Sequence, residues 1–405
     1  MLTAHFASNS SNEIKCHRTN KFYDLCLVNA PTVLDPAAST FYIKNRENQP
    51  RVLEKIRPYP RKWEHGTMRD IKEIKIIASP KTPSCDIKHG VPAMVFSAGN
   101  YITVGGIGGN FFHEFNDGMV PLFITINSVF FDYQDFAFVI TGARSSWFNQ
   151  FSELLSAYTK HPIINLDNQT STHCFSSAVM GLVTHGFMTI RPKIMPTSQT
   201  VFDLRSFFDK AFNGPQFPHK PKPTSKRPRL ILTRRAGSVG RVLTNHNDVK
   251  KLAQKIGFDV IVFQPSPRTS LRECYALVNS SHAMIGVHGA ALTHSVFLRP
   301  RAAFLQVVPL GVDIGADAFF GDYARAIGLN YMEYKIKAEE SSLSSKYDKN
   351  SQMIKDPIAY LEEHRSVATN DLYFKEQDVK LDLVRFKPYL LKAYQNAKTF
   401  MEQEG

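Results

Sequence analysis

The chain has 405 residues, so two domains of ordinary size, each with its own hydrophobic core, are the expected organisation. Hydrophobic residues make up 43% of the sequence and aromatic residues 12%, which excludes an intrinsically disordered chain. The net charge of +13 favours anionic partners such as nucleotide diphosphates, anionic polysaccharides or nucleic acids, and charge alone does not choose among them.

Targeting segments and cysteines set further limits. No apolar run reaches the roughly 18 residues of a membrane-spanning helix, and the polar first residues do not resemble a secretory signal, so neither segment is expected in this sequence. The cysteines form no C-x-x-C zinc pattern, and their odd number leaves at least one thiol unpaired: Cys16, Cys26, Cys85, Cys174 and Cys274. Sequons would permit N-glycosylation in the secretory route at Asn9, Asn168 and Asn279.

The first half of the chain contains clear elements only after residue 70. A long apolar run predicts a helix over 111–131, which Pro121 is expected to kink or divide. Shorter apolar runs predict strands at 74–79, 92–98 and 136–141.

Polar groups lie at helical spacing where this helix begins. After the glycine-rich stretch 105–109, Asn110 is predicted to cap the helix, and steps of three and four residues place His113 and Asp117 on one face with it. A histidine oriented by a carboxylate one turn away can act as a general base, with Glu114 or Asp117 itself as the alternative base. The histidine and the carboxylate could instead only satisfy each other's hydrogen bonds.

A linker is predicted between the two halves. In the stretch 218–229, PHKPKPTSKRPR, proline and basic residues replace the apolar periodicity, which is typical of an extended, exposed segment. We therefore expect an N-terminal domain at 1–225, a C-terminal domain at 226–385 and a closing helix at 386–405.

The second half alternates strands and helices regularly. Near-continuous apolar strands separated by amphipathic helices predict a buried parallel sheet and therefore a Rossmann-like domain. The strands are predicted at 230–233, 260–263, 283–287 and 302–308, and the helices near 247–256, near 269–280 and from about 290.

Two stretches at the carboxyl ends of these strands are suited to a phosphate. One has small side chains where a helix begins, which leaves backbone N–H groups and the positive end of the helix dipole open to an anion. The other has two arginines that could bind a diphosphate through bidentate hydrogen bonds. Tight helix–sheet packing and a solvated basic loop are the alternative interpretations. The residues are His288, Gly289, Ala290 and Ala291 in the first stretch and Arg234 and Arg235 in the second.

Further along, Glu333 and Lys335 lie in a charged stretch that either holds the ribose hydroxyls of a nucleotide or forms an exposed turn. No Asp-x-Asp occurs in the sequence, and Asp132 and Asp135 have the wrong spacing for a paired metal clamp. We therefore expect no metal and no other cofactor to be required.

Six stretches, in order between about 90 and 390, resemble the plant members of glycosyltransferase family 61, the xylan-decorating xylosyl- and arabinosyltransferases. They are GNFFHEFNDGMVPLFIT, HCFSSAVMGL, LILTRR, GVHGAALTHSVFLRPRAAFLQVVPLG, YKIKAEESSL and VRFKP. The resemblance implies an α/β fold of GT-B type, in which two Rossmann-like domains face a cleft. It also implies an inverting, UDP-sugar-dependent pentosyltransferase of hemicellulose synthesis, a glycoprotein of the plant cell-wall pathway.

The resemblance implies a substrate and a location as well. UDP-xylose is the favoured donor, giving a β-1,2-linked xylose on xylan, and UDP-arabinofuranose is the alternative. The protein would work in the Golgi lumen as a type II membrane protein whose anchor is absent from this chain, where a Cys16–Cys26 disulfide suits the oxidising compartment. We further expect Asn110 and Phe112 to contact the acceptor.

Two other functional classes compete with this interpretation. A non-catalytic nucleotide-sugar or polysaccharide binding protein would keep the arginines and the 289–291 turn. A single-stranded nucleic-acid binder would need basic and aromatic residues interleaved on one surface. The basic residues here concentrate instead in the linker and in the loop that begins with Arg234 and Arg235. We rank the nucleic-acid binder last.

Overall fold

The computed structural model describes residues 13–45, 48–99, 110–130, 135–213, 226–235, 240–266 and 269–403. The chain divides into two compact units, Met1–Ala211 and Phe212–Gly405. Residues 218–225 of the predicted linker lie outside the described residues. The arrangement of two domains around a cleft stays a prediction.

The described part of the N-terminal unit contains twelve strands in two six-stranded sheets. The strands are β1 Glu13–His17, β2 Leu25–Asn29, β3 Thr32–Asp35, β4 Thr40–Lys44, β5 Arg51–Ile56, β6 Ile74–Ser79, β7 Ile87–Lys88, β8 Ala93–Ser97, β9 Ala137–Thr141, β10 Ile164–Asn165, β11 His173–Phe175 and β12 Ala178–Met180. The first sheet has the order β1-β2-β12-β8-β9-β10, and the second has the order β5-β6-β4-β3-β11-β7.

The pairing in this unit is mixed. β12, β8, β9 and β10 run parallel, whereas β1 and β2 pair antiparallel at one edge of the same sheet. The three predicted strands are present as β6, β8 and β9, but β6 belongs to the second sheet. Residues 13–56 form five strands that the sequence did not predict, because such short strands leave too few residues for alternation to show. The unit thus adds antiparallel pairs to the parallel strands expected of a Rossmann-like domain.

The predicted apolar helix is continuous but not uniform. Its second turn is π-helical, and Pro121 follows within the first two positions of the next α-helical segment, where a proline is tolerated. The proline therefore neither divides nor ends the helix. The helices of this unit are His65–Asp70, Phe111–His113 continuing as the π-helix Glu114–Met119 and the α-helix Val120–Val129, Ser145–Ser156 and Val201–Phe212, with 3₁₀ turns at Leu166–Asn168 and Pro192–Ile194.

Two disulfides lie in the N-terminal unit. Cys16–Cys26 joins directly opposed residues of β1 and β2, as the resemblance implied. Cys85–Cys174 links the segments that carry β7 and β11. Cys274, in the C-terminal unit, is a buried free thiol whose pKa burial raises to about 12, which makes it unreactive.

The C-terminal unit has the predicted parallel sheet with its four predicted strands and with a fifth strand, Asn330–Lys335, which was not predicted and carries Glu333 and Lys335. Its strands are β13 Arg229–Thr233, β14 Asp259–Phe263, β15 Ala283–Val287, β16 Ala303–Val308 and β17 Asn330–Lys335. All neighbours pair in parallel, in the order β14-β13-β15-β16-β17. β15 and β16 are completely buried, so their apolar runs are continuous. This is a doubly wound order whose direction reverses between β13 and β15, where such sheets bind ligands.

Helices and turns complete this unit. The closing helix is present, and its Phe386, Leu390 and Ala393 belong to the core under the sheet. Among the residues described, no helix is both long and apolar enough to cross a membrane. The α-helices are His246–Ile256, Leu271–Asn279, Asp313–Ala316 continuing as the π-helix Asp317–Gly321 and the α-helix Asp322–Ala326, Leu343–Lys346, Gln352–Lys355, Pro357–Glu363, Val367–Lys375 and Leu383–Gln403, with 3₁₀ helices at Ala290–Phe297 and Ala338–Glu340.

Candidate active site

The carboxyl ends of β13 and β15 approach closely at the point where the strand order reverses. Gly286 has no side chain, and a Cβ there would collide with Oγ1 of Thr233 on the neighbouring strand. A Cβ at Gly289 would likewise collide with Nη1 of Arg235. The glycines therefore allow an arginine side chain to lie directly against the backbone of the turn that follows β15.

A second arginine reaches the same turn. Nη1 of Arg241 donates to the carbonyl oxygen of His288 at 3.0 Å, and Nε of Arg235 donates to the carbonyl oxygen of Gly240 at 3.0 Å. Burial, together with the positive charge of Arg235, lowers the pKa of Arg241 to about 9. Two guanidinium groups at a small-residue turn make this part of the unit attractive to an anion.

The backbone that presents Arg241 is unusual. Arg241 has a positive φ of 54°, a conformation that is uncommon outside glycine, and it follows Gly240, whose φ is 65°. A Cβ at Gly240 would collide with the carbonyl oxygen of Lys375, so only glycine fits there. Such backbone conformations occur often at ligand sites. Residues 236–239 of the same loop lie outside the described residues.

Arg234 and Arg235, which follow the end of β13, have different surroundings. Arg234 is exposed, its N–H donates to the carbonyl oxygen of Phe263 at 2.9 Å, and its charge acts on the side chain of His246. Of the two arginines predicted to meet a diphosphate, the structure places Arg235 at Gly289.

The helix after β15 is not the predicted α-helix. Ala290 and Ala291 begin a 3₁₀ helix that ends at Phe297, and Nδ1 of His294 lies 2.9 Å from the carbonyl oxygen of Ala291. In a 3₁₀ helix each N–H reaches back three residues, so fewer backbone donors remain open at its start than in an α-helix. Gly289, Ala290 and Ala291 still keep bulky side chains out of this turn.

His288 is buried within the unit. Burial and the two nearby arginines hold its pKa well below its usual value, so the imidazole is neutral. Its Nδ1 lies 3.1 Å from Nε2 of Gln306, and the Tyr331 hydroxyl lies 3.3 Å from Oε1 of Gln306 and 2.7 Å from Oε1 of Glu333. A continuous chain of polar contacts thus connects the turn after β15 with Glu333 on β17.

Glu333 and Lys335 line a cavity of about 690 Å³ beside β17. Nζ of Lys335 lies 3.0 Å from Oδ1 of Asp313 and 3.9 Å from Oε2 of Glu333. The cavity offers acidic and basic groups of the kind that bind hydroxyl-rich ligands. Its lining comprises Asp313, Ile314, Asp317, Ala318, Asp322, Arg325, Tyr331, Met332, Glu333 and Lys335.

In the N-terminal unit, the predicted polar face is present at the start of the 111–129 helix. Oδ1 of Asn110 accepts from the N–H of Phe112 at 3.1 Å, which confirms the cap. Nδ1 of His113 lies 2.7 Å from Oδ2 of Asp117. Phe112 is buried, so it has little surface to offer an acceptor.

Asp117 is the centre of a network that draws on distant segments. Its Oδ2 also accepts from Nη1 of Arg61 at 3.1 Å and from the Tyr59 hydroxyl at 3.2 Å, and its Oδ1 accepts from Nδ2 of Asn116 at 2.6 Å. Burial alone would raise the pKa of Asp117, but the hydrogen bond from His113 and the charge of Arg61 outweigh it and lower the pKa. An ionised, fully engaged carboxylate suits the orientation of His113 better than the removal of a proton.

Glu114 is the other carboxylate of this turn. Burial and the charge of Asp117 raise its pKa to about 8, although Nε1 of Trp147 donates to its Oε2. Glu114 is therefore mostly protonated at neutral pH and is a poor base there. His113, with a side chain that is 21% exposed, is the titratable group of the turn that solvent can reach.

Several of these residues were not predicted from the sequence. Gln306 was detectable, because it is the one polar residue in the buried run AAFLQVV. Arg241 lies at the end of the loop that begins with Arg234, but no sequence pattern singled it out as a functional residue. Arg61 and Tyr59 lie more than 50 positions from Asp117, so no local spacing could connect them with it.

Asp132 and Asp135 are the two carboxylates that the sequence offered as alternative metal ligands. Asp135 pairs with Lys160 at 3.5 Å and with His161, and Asp132 lies outside the described residues. In the described ranges, no group of three or more His, Cys, Asp or Glu side chains is arranged to hold a metal ion. Metal independence stays a prediction.

Comparison with known proteins places this geometry in a family. The family model described as Glycosyltransferase 61 matches residues 111–305, a range that includes His113, Glu114 and Asp117 as well as Arg235, Arg241 and the turn after β15. A xylan glycosyltransferase of Arabidopsis thaliana is 37% identical over 96% of this chain and 80% of its own length. The chain belongs to glycosyltransferase family 61.

Other plant relatives of the family are similar over most of the chain. An α-1,3-arabinosyltransferase of Oryza sativa subsp. japonica is 31% identical over 93% of this chain and 63% of its own length. A β-1,2-xylosyltransferase of the same organism is 33% identical over 84% of this chain and 71% of its own length. The resemblance to plant members of the family is therefore confirmed.

Proposed function

We propose that this family 61 chain is an inverting pentosyltransferase that moves xylose from UDP-xylose onto xylan in a β-1,2 linkage. Its similarity to plant enzymes named for xylan, xylose and arabinose supports a pentose donor and a xylan acceptor. UDP-arabinofuranose is the second candidate donor, because a relative that is 31% identical is named an arabinosyltransferase.

The observation that carries the proposal is the pair of guanidinium groups at the Gly289 turn. A departing UDP carries negative charge on its diphosphate, and Arg235 beside Gly289 and Arg241 beside His288 would stabilise that charge without a metal ion. In the same unit, Glu333 in the cavity beside β17 would hold ribose hydroxyls through its carboxylate.

The acceptor needs a base, and we assign that role to His113. In one displacement, an acceptor hydroxyl oxygen attacks the anomeric carbon, the bond from that carbon to the diphosphate oxygen breaks, and the hydroxyl proton passes to Nε2 of His113. Asp117 holds Nδ1 of the ring at 2.7 Å and stabilises the imidazolium that forms. Glu114, protonated at neutral pH, would not compete for this proton.

The compartment follows from the same proposal. Two disulfides suit an oxidising environment, and xylan decoration in the secretory route fits a Golgi location with a type II anchor outside this sequence. Microscopy of a fluorescent fusion to the full-length protein in plant cells would check the location against Golgi and cytosolic markers.

One assay tests the activity. The protein is incubated with xylo-oligosaccharides and, separately, UDP-xylose, UDP-arabinofuranose and UDP-N-acetylglucosamine, and the products are weighed and their anomeric configuration is read by NMR. We expect a mass gain of one pentose with UDP-xylose and a β-linked product. Retention of the donor configuration would contradict the inverting mechanism, and no product with any donor, together with intact UDP binding, would favour a binding protein.

A further inference from the structure

Three aromatic rings form a row in the N-terminal unit. The rings of Phe22 and Trp63 are 5.2 Å apart and the rings of Trp63 and Phe187 are 6.3 Å apart, centroid to centroid, and both pairs are nearly perpendicular. Trp63 is 38% exposed, which is unusual for the largest apolar side chain, and the other two rings are half-buried. We call Phe22, Trp63 and Phe187 the aromatic row.

Hydrogen bonds fix the two chain segments that carry the first two rings. The N–H of Lys62 donates to the carbonyl oxygen of Phe22 at 2.9 Å. Nζ of Lys62 also donates to Oδ1 of Asp24 at 2.7 Å and to the carbonyl oxygen of Arg18. The row is thus preorganised by its backbone and needs little ordering when a ligand binds.

The row continues directly into the network around the proposed base. The guanidinium carbon of Arg61 lies 5.3 Å from the ring centre of Trp63, and Nη1 of the same arginine lies 2.9 Å from Nδ1 of His113. One buried guanidinium therefore separates the exposed indole from the imidazole.

We propose that the aromatic row binds the acceptor chain, with the apolar faces of its sugar rings packed against Trp63 and its neighbours. This inference rests on the proposed function, which supplies an oligosaccharide acceptor. Sugar rings combine an apolar C–H face with a polar hydroxyl rim, and exposed aromatic rings flanked by charged groups match both features. Glu64, next to Trp63 in the chain, has a partly exposed carboxylate for the hydroxyls, and Nζ of Lys21 lies 4.8 Å from the Phe22 ring centre.

The position of the row favours a saccharide over a protein partner. A chain seated on Trp63 would bring one of its sugar units to the Arg61–His113 contact, where a hydroxyl must lose its proton in the proposed reaction. A contact with a second copy of the chain would need no such proximity to a titratable group. The row therefore sets where along the acceptor the new sugar is attached.

The protein contains two tryptophans, which makes the test direct. Trp63 is 38% exposed and Trp147 is 8% exposed, so a polar quencher such as acrylamide reports mainly on Trp63. Xylohexaose, added to the full chain without donor, should shield Trp63 from quenching. The shielding should persist in Phe202→Ala, a matched control that removes an aromatic ring 47% exposed in the same unit, and should weaken in Phe187→Ala, which removes a ring of the row but keeps Trp63 as the reporter.

Kinetics give the second readout. Trp63→Ala should raise the KM for the acceptor about tenfold while kcat at saturating acceptor changes by less than roughly twofold, since the ring binds the acceptor and takes no part in the chemistry. Trp63→Tyr should restore most of the affinity, which separates loss of the ring from loss of the fold.

The outcomes separate this inference from the proposed function. If the wild-type protein transfers a pentose while Trp63→Ala keeps a normal acceptor KM, the row is not the acceptor site and the function stands. If no donor gives product but xylohexaose still shields Trp63, the function fails and saccharide binding on the row stands. Absence of shielding in the wild type, or a Trp63→Ala variant that only lowers the molar mass in light scattering, would overturn the inference in favour of a contact between copies.

Discussion

The two candidate sites differ in how their charges are balanced. At the start of the 111–129 helix, Arg61 and His113 both lie within hydrogen-bonding distance of Asp117. At the turn after β15, Arg235 and Arg241 donate to backbone carbonyl oxygens, and their mutual repulsion together with burial lowers the pKa of Arg241. At the first site the carboxylate of Asp117 balances the positive charge of Arg61. At the second site the two guanidinium groups leave an excess of positive charge.

This difference fits two distinct tasks. A group that accepts a proton must be oriented before the substrate arrives, so its partners have to be part of the protein. A site binds a diphosphate most strongly when its positive charges have no negative partner in the protein. The ligand then supplies that negative charge, and the protein contributes only hydrogen-bond donors. The balance of charge among the protein's own side chains thus distinguishes a proton-transfer site from an anion-binding site.

The largest effect is expected at the balanced site. His113→Ala should lower kcat by about 10²–10⁴ while UDP binding, measured by calorimetry, stays nearly intact, because the lost group acts on the acceptor alone. Asp117→Asn should reduce kcat less, since the imidazole remains but is poorly oriented. Near wild-type turnover in His113→Ala, alongside an inactive Asp117→Asn, would make Asp117 the base and reduce His113 to a packing residue.

The next effect concerns stability. The pKa of Glu114 is raised from 4.5 to about 8 in the folded chain, so its protonated form stabilises the fold fully below pH 4.5, and that contribution is lost as the pH rises through 8. The full loss is on the order of 5 kcal/mol in the free energy of unfolding. Glu114→Gln, which cannot ionise, should escape it.

Denaturant unfolding of both proteins at several pH values measures this difference. The free energy of unfolding of the variant minus that of the wild type should increase between pH 5 and pH 8, because only the wild type loses stability over this range. Parallel pH profiles for the two proteins would mean that Glu114 ionises normally and would restore it as a candidate base.

A smaller effect is expected at the positively charged site. Arg235→Ala and Arg241→Ala should each weaken UDP binding about tenfold or more, because charge-assisted hydrogen bonds contribute about 1.5–3 kcal/mol each. Arg234→Ala is the matched control, since it removes the same charge from an exposed position one residue away. The sequence alone predicts that Arg234 and Arg235 both bind the diphosphate, so equal losses at the two positions would contradict the placement of Arg235 at Gly289.

The last prediction is that removal of metal ions leaves the activity unchanged. If protein cations alone stabilise the leaving diphosphate, then activity should survive excess EDTA. Loss of transfer on chelation, restored by Mn²⁺, would show that the positive charge of Arg235 and Arg241 is insufficient and would direct attention to Asp132 and Asp135.

The sequence was most informative where one residue pattern determines one structure. Continuous apolar runs identified β13–β16 of the C-terminal sheet, because a strand buried on both faces admits few polar residues, whereas the polar β17 was missed. Local spacing also identified the Asn110 cap and the His113–Asp117 pair. These features depend on residues no more than a few positions apart.

The remaining features depend on tertiary contacts that spacing does not encode. The contact of Arg61 with Asp117 joins residues 56 positions apart, and the apolar spacing does not distinguish the 3₁₀ helix after Gly289 or the π-helical turn at Glu114 from an α-helix. The different surroundings of Arg234 and Arg235 were not predicted either, because both residues lie beyond the end of β13, where the periodicity of the strand no longer applies. β1–β5 were missed because antiparallel strands of four to six residues give a weak signal.

The strand order of the first sheet has a consequence for how the chain is made. β12 lies between β2 and β8, yet it is the last of the six strands to leave the ribosome. Until residues 178–180 emerge, β1–β2 and β8–β9–β10 are two ribbons with exposed edges and no shared hydrogen bonds. Cys174, which closes the disulfide with Cys85, is translated just four residues ahead of β12. Covalent closure and insertion of the central strand therefore become available at almost the same moment of synthesis, so the N-terminal unit can complete this sheet only after the last of its strands has been translated.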